Sequence, residues 1–513
     1  MSEKKSFYIT TPIYYPSAKL HIGHAYCTTI ADAIARFKRL AGYDVFFLTG
    51  SDEHGQKIQR TAEKQNVTPI EYVDKIVAGF QELWQRLNIS NDDFIRTSEE
   101  RHQKVVQEFF RRIRDKGDIY KGEYTGLYCT HCESYWTELQ LDENKCCPDC
   151  HRAIEKVSEE AYFFKMSKYG DKILKYIEEN PKFIVPTSRR NEMIKFIKQG
   201  LEDLCVSRTS FDWGIPVPDD EKHVIYVWFD AVINYITPLF NDPERFKKFW
   251  PADIHLVGKE IVRFHSIIWP CMLMALDLPL PKQIYGHGWL IVEGDKMSKS
   301  KGNVVDPMHL IDEFGADAIR YFLLREITLG QDGGFSRDAL INRINADLAN
   351  DLGNLLHRSL NMIKKFQGGI VLKSVGENEI DKSFKNDAMN TVFEYKNLME
   401  NVQLSDAIKK VWTFISRANK YIDETMPWKL AKDESQKQIL SNTLYNLAES
   451  LRIISILISP LMPKTGQKIF EQLNLENFEK SRLEDVLTFG KLPSDYKVNK
   501  AEQLFPRIEV EKQ

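Results

Sequence analysis

Two short motifs constrain the fold more than any other feature of this chain. His21-Ile22-Gly23-His24 and the basic run Lys296-Met297-Ser298-Lys299-Ser300 have the 271 residues 25–295 between them. A fold that makes one site of both must carry the chain far out and bring it back. Histidines at i and i+3 share a helix face, and here that face is the first turn after an apolar run, where free backbone N–H groups and the helix dipole favour phosphate. Gly23 removes a side chain where a ligand would approach closely. Lys296 and Lys299 lie in a loop bounded by Gly294 and Gly302, a composition that suits a mobile segment carrying two cations toward developing negative charge. The tetrapeptide alone would arise by chance in roughly one chain per thousand of this length. Alone, the motifs read as a helix-start histidine pair and a solvated basic loop; in this order they read as two halves of one ATP site.

The segments between them supply a scaffold. Phe7 to Ile13 reads as a strand, a helix follows from about His24 to Gly42, and Val45-Phe46-Phe47-Leu48 is a strand buried on both faces, ending in the polar turn Gly50–Gly55. Strand, helix, strand implies a parallel sheet. Thr68-Pro69-Ile70-Glu71 carries an N-cap, a proline at the first helical position and a capping-box glutamate, and Ile70, Val73, Val77, Phe80, Trp84 and Leu87 follow at helical spacing. A second helix is predicted from about Ser98 to Gly117. Residues 119–222 break the alternation and read as an insertion; Val224–Phe229, Ile254–Val257 and the region near Ile284 then read as strands, with a helix from about Glu260 to Leu276. Ligands belong at the strand C-termini, where the polar turns lie. Beyond Ser336 helical periods dominate, as in Leu348, Leu352, Leu355, Leu356 and Leu360. The expected fold is α/β: a Rossmann-type parallel sheet in two halves, 1–118 and 223–335, split by the insertion 119–222 and followed by an all-helical domain, 336–513.

At 513 residues the chain exceeds what one hydrophobic core serves, and its net charge of -3 confines any polyanion contact to local Lys/Arg patches. No apolar run reaches transmembrane length and MSEKKSFYITT lacks a signal or transit pattern, so a cytoplasmic protein is expected. Five of the eight cysteines fall within residues 129–150. Cys129/Cys132 and Cys147/Cys150 form two CxxC pairs that suit one tetrahedral Zn²⁺, structural because protein fills all four positions. His131 and His151 remain alternative donors, Cys146 is an extra thiol, and Cys27, Cys205 and Cys271 are buried bystanders.

The chain resembles the class I aminoacyl-tRNA synthetases, specifically the methionyl-tRNA synthetase family of the bacterial type with cysteine zinc knuckles. The resemblance rests on Thr10–Tyr15 before the histidine motif, Gly50–Gly55, Ser188–Glu192, Trp228-Phe229-Asp230-Ala231, Phe264-His265-Ser266, Gly286-His287-Gly288, the lysine motif and Pro427-Trp428. It implies a ligase that activates L-methionine with ATP to methionyl adenylate and pyrophosphate, then transfers methionine to the 3′ terminal adenosine of tRNA(Met) for initiation and elongation. His21, His24, Lys296 and Lys299 would act on the phosphoryl group; with Gly23, Lys259, His287 and Gly288 they would hold ATP, with Mg²⁺ on its phosphates. Ile13, Tyr15, Asp52, Trp228, Ala231, Tyr235, Ile261 and His265 would hold methionine, Asp52 taking the ammonium. Asn354, Arg358 and Trp428 would read anticodon bases, making the helical domain the anticodon-binding one.

The isoleucine, valine and leucine enzymes of the class carry a larger insertion than this one. Nucleotidyltransferases with a histidine-glycine-histidine phosphate site give no reason for the zinc knuckles, and a non-catalytic tRNA-binding relative gives none for two intact motifs. Some relatives dimerise through a β-rich module beyond the helices; with none after Leu504–Glu509, a monomer is expected.

Overall fold

The computed structural model of the protein describes residues 4–17, 19–136, 138–292, 295–296 and 304–509. Its centre is a six-stranded, wholly parallel sheet in the spatial order Asp93–Arg96, Asp44–Ser51, Ser6–Tyr14, Ile254–Gly258, Ile284–His287, Ile184–Val185. The first three strands grow outward one way from Ser6–Tyr14 and the later ones the other way, so the order reverses between Ser6–Tyr14 and Ile254–Gly258, the place where such sheets open a ligand crevice. Both faces are covered, which is why these strands are nearly continuous apolar runs.

One irregularity bears on the site. Thr10 pairs with Leu48 and Ile13 with Gly50, so three steps on one strand match two on its neighbour. The extra residue falls at Thr11–Pro12, where proline lacks the N–H a ladder would need, and the bulge turns the end of the strand outward. The helix Ile22–Leu40 then runs back along the sheet, with His21 as its N-cap.

The insertion folds as an antiparallel sheet of Ser134–Trp136, Ile119–Cys129, Glu155–Phe164 and Leu204–Cys205. Two expectations change here. Ile184–Val185, within the insertion, joins the edge of the central sheet beside Ile284–Tyr285. The run Val224–Phe229 is not one strand: Asp220–Ile225 pairs with Ser207–Arg208, and Val227–Val232 is a short helix carrying Trp228. A short apolar run buried all round has no periodicity that separates strand from helix.

The long helices Asn354–Gln367, Glu379–Glu400, Leu404–Thr425 and Lys437–Ile458 form the C-terminal domain. A buried hub docks it. Asp32 on the first helix accepts from Arg36, Arg320 (2.7 Å) and Ser90, and Arg320 donates to the carbonyls of Leu87, Pro460 and Leu461. Burial alone would push the Asp32 carboxyl up; the two guanidiniums outweigh it and hold it below its usual range. Among the described residues no helix is long and apolar enough to cross a membrane.

Candidate active site and metal centre

The crevice at the sheet's switch point holds a cavity of about 470 Å³. Its walls come from the end of the first strand (Ile13, Tyr15), the helix start (His21, Gly23, His24), the turn at Asp52, the Val227–Trp228 segment, Gly258, Glu260 and Ile261, and His287–Leu290. These are strand C-termini and the loops after them.

The two histidines are locked by the backbone. The Gly23 N–H donates to His21 Nδ1 at 3.1 Å and the His21 N–H donates to His24 Nδ1 at 3.0 Å, a capping box built from imidazoles. With both Nδ1 atoms accepting, each neutral ring carries its proton on Nε2, so the pair presents N–H donors beside a helix N-terminus. The chain on either side of the lysine motif is placed by backbone bonds. Ile22 donates its N–H to the Val305 carbonyl at 3.0 Å, and Asp295–Lys296 pairs with Ile291–Val292, just past Leu290 in the cavity wall. Thus the downstream flank of the lysine motif meets the histidine turn and the upstream flank pairs with the strand that follows the cavity wall, while Lys299 and the Lys296 side chain lie outside what is described.

Of the other residues expected around ATP, His287 donates from Nδ1 to the Gly288 carbonyl at 2.8 Å and meets Tyr26 edge-on. A Cβ on Gly288 would come within 2.1 Å of the Gln331 carbonyl oxygen, so protein backbone already demands glycine there. Lys259 is engaged with Asp332 at 2.7 Å and sits over the Trp289 ring, outside the cavity wall.

Asp52 is 8% exposed, and its Oδ1 has no hydrogen-bond partner. Burial pushes its carboxyl well above the usual range, and Asp230, Glu133 and Glu53 push the same way. A buried carboxylate with an unsatisfied oxygen in a cavity is a receptor for a cation. Ile13, Tyr15, Trp228 and Ile261 line the cavity with it, Trp228 stacked on Phe264 at 3.7 Å. Ala231, Tyr235 and His265 are buried behind that wall. His265 donates from Nδ1 to the Ile261 carbonyl at 2.8 Å, burial lowers it to about 4, and its neutral Nε2 accepts from the Tyr235 hydroxyl at 2.6 Å. Both polar groups are therefore spent on each other, leaving an uncharged wall. Glu133, Lys57, Glu260 and Trp289 also line the cavity. Sequence reasoning missed them; for Glu133 the one signal was its place directly after Cys132.

The Sγ atoms of Cys129, Cys132, Cys147 and Cys150 all lie within 4.8 Å of one another, with Cys129–Cys150 at 3.6 Å and Cys132–Cys147 at 4.0 Å. Thiolates about 2.3 Å from a tetrahedral ion stand roughly 3.8 Å apart, so the four fit one metal. His151 is 74% exposed and bonded to Asp142 at 2.9 Å, and His131 Nδ1 lies 3.7 Å from Cys132 Sγ. Cys146 is not in the group.

In the helical domain Asn354 is exposed, Arg358 bonds Asp423 at 2.8 Å, and Trp428, 42% exposed, follows Asp423 by one turn and the Pro427 break. The Arg358–Asp423 pair thus brings the Asn354–Gln367 helix face to the segment that carries Trp428.

Residues 7–157 and 153–360 match the family model described as tRNA synthetases class I (M), and residues 373–513 that of the anticodon binding domain of methionyl tRNA ligase. The chain is 62% identical to the methionine–tRNA ligase of Caldanaerobacter subterraneus subsp. tengcongensis over 99% of its own length and 80% of that protein, and 54% identical to that of Bacillus subtilis over all of its length and 79% of that protein. Mycobacterium tuberculosis methionyl-tRNA synthetase in complex with methionyl-adenylate superposes with a TM-score of 0.94 at 40% identity, covering 98% of this chain and 100% of that one; the free-state form gives 0.88 at 38% identity over 99% of each. The chain belongs to the methionine–tRNA ligases of the class I tRNA synthetases.

Proposed function

We propose that the chain activates L-methionine with ATP and transfers it to the 3′ terminal adenosine of tRNA(Met). The observation that carries this reading is convergence: the capped histidine pair, the Asp52 carboxylate with its unpaired Oδ1 and the aromatic rings of Tyr15 and Trp228 share one cavity at the switch point, and Val305, just past the lysine motif, bonds the histidine turn. The ammonium of the amino acid pairs with Asp52, and the thioether packs on Trp228 and the Tyr235–His265 wall, apolar surroundings that suit sulfur. A methionine carboxylate oxygen attacks the α-phosphorus, the bond to the β-bridging oxygen breaks, and pyrophosphate leaves. The substrate is its own nucleophile, so the protein needs no general base; His21 and His24 donate from Nε2 to phosphate oxygens, and Lys296 and Lys299 neutralise the leaving charge. Mg²⁺, entering with ATP, would supply further neutralisation of the phosphate charge.

Cys129, Cys132, Cys147 and Cys150 would hold Zn²⁺, the metal that four thiolates at these separations suit, and its contribution there would be structural, bracing the knuckle whose Glu133 accepts from the Tyr15 hydroxyl at 3.1 Å. Asn354, Arg358 and Trp428 form a surface for unstacked anticodon bases, with the indole as stacking platform. In this reading residues 1–118 and 223–335 are the catalytic halves, 119–222 the insertion and 336–513 the tRNA-reading domain of a cytoplasmic monomer. Methionine-dependent ATP–pyrophosphate exchange tests the reading; no exchange, or equal exchange with isoleucine, sinks it. Sedimentation at micromolar concentration tests the monomer, which a concentration-stable dimer mass overturns.

A further inference from the structure

Behind the amino-acid wall lies a buried ionic cluster, none of whose residues lines the active-site cavity. The Asp230 carboxylate is inaccessible, and both of its oxygens are taken: His54 Nδ1–H donates to Oδ2 at 2.6 Å and His102 Nε2–H donates to Oδ1 at 2.7 Å. His102 Nδ1 continues the chain to Thr237 Oγ1 at 2.8 Å. Burial would push the Asp230 carboxyl up; His54 and His102 outweigh it and hold it low.

The three residues come from three segments, each with a stake in the site. His54 is two residues past Asp52 on the Gly50–Gly55 turn. Asp230 is two residues past Trp228 and precedes Ala231 on the Val227–Val232 helix. His102 lies on the Glu100–Asp115 helix behind both. The cluster is the hydrogen-bonded link between the turn that aims the ammonium receptor and the helix that aims the thioether wall. A buried ion of this kind is costly to form and is held rigidly once paired.

We propose that Asp230, with His54 and His102, is a positioning residue that fixes Asp52 and Trp228 at the separation the amino-acid substrate requires while touching no substrate atom. The proposal rests on the methionine-activation reading. It has an electrostatic signature too. Asp52 faces Asp230 from the Val227–Val232 helix, Glu133 from the zinc knuckle and Glu53 on its own turn, the last paired with Arg96; the Tyr15 and Tyr235 hydroxyls feel the Asp52 charge. Removing the Asp230 charge makes Asp52 easier to ionise, so amino-acid binding persists to lower pH.

The test uses the full chain in methionine-dependent ATP–pyrophosphate exchange. Asp230→Asn raises the methionine KM about tenfold or more, with kcat and the ATP KM within about threefold, because only amino-acid placement is lost. In the same variant the acid limb of kcat/KM for methionine moves to lower pH. His102→Gln, which keeps a donor at the Nε2 position and the Asp230 charge, raises the methionine KM less and leaves the acid limb in place. An unchanged methionine KM in Asp230→Asn overturns the proposal, as do equal rises in the methionine and ATP KM, the mark of a general loosening. If Asp230→Asn does not fold, His54→Ala against His54→Asn decides: the asparagine, which can still donate to Asp230, must recover most of the methionine KM. Absence of exchange in the unsubstituted chain refutes the proposed function instead, before any variant is made.

Discussion

Asp52→Asn separates binding from stability in opposite directions. In the unliganded protein Asp52 is a buried carboxylate with one oxygen unpaired and three acidic neighbours, Asp230, Glu133 and Glu53. Its folded pKa lies above its unfolded one. Ionisation therefore costs stability, by nothing below the ordinary carboxylate range and by increasing amounts as pH rises from that range through the folded pKa. Asparagine removes that cost, so the variant should melt at a higher apparent temperature than the unsubstituted chain at pH 8, and the difference should shrink toward zero as the pH is lowered. With methionine bound the sign reverses, since the ammonium loses its buried counter-ion. Loss of one member of such a pair costs about 2–5 kcal/mol, which raises the methionine KM about 30-fold to several thousandfold. The assays are ATP–pyrophosphate exchange with methionine titrated at each pH and thermal unfolding without ligand. A methionine KM within about threefold of the unsubstituted value, or a lower melting temperature at pH 8, would refute the reasoning.

Other perturbations address the remaining parts. His24→Ala should cut adenylate formation by about a hundredfold, the scale for one lost charge-stabilising donor, with methionine affinity by equilibrium dialysis nearly unchanged; a main effect on methionine affinity would reverse the division of roles. Cys132→Ser leaves three thiolates, and bound zinc measured by chelator release should fall from one per chain to well below half, with a lower melting temperature; full retention of zinc would remove Cys132 from the ligand set. Arg320→Met leaves the buried Asp32 with Arg36 as its remaining cation beside the Ser90 hydrogen bonds and should destabilise the docking of the helical domain by about 3–5 kcal/mol in denaturant unfolding; a change under about 1 kcal/mol would mean the hub is solvated in solution. Trp428→Ala should raise the tRNA KM in aminoacylation while leaving exchange intact, and lost exchange activity would undo that separation.

What the sequence determined by itself was local. The Thr68-Pro69-Ile70-Glu71 start of a helix, the two CxxC pairs and the apolar strands at Val45–Leu48 and Ile254–Val257 each carry their cause within a few residues, and the structure forms them where those signals stand. The resemblance extended this to a residue set, and the convergence of the four cysteine Sγ atoms appears only once their side chains are placed. What pairing across the chain decided was invisible beforehand. Trp228 lies on a helix rather than a strand because the hairpin ends at Ile225. Ile184–Val185 joins the central sheet because its edge beside Ile284 had unpaired backbone groups. The bulge at Thr11–Pro12, the spent Tyr235–His265 pair and the Asp230 cluster depend on partners tens to hundreds of residues away. Buried polar groups take whatever complementary atom the fold brings within 3 Å or so. Spacing along the chain records which residues can do chemistry, but the tertiary fold alone settles which are left free to meet a substrate and which are consumed holding others in place.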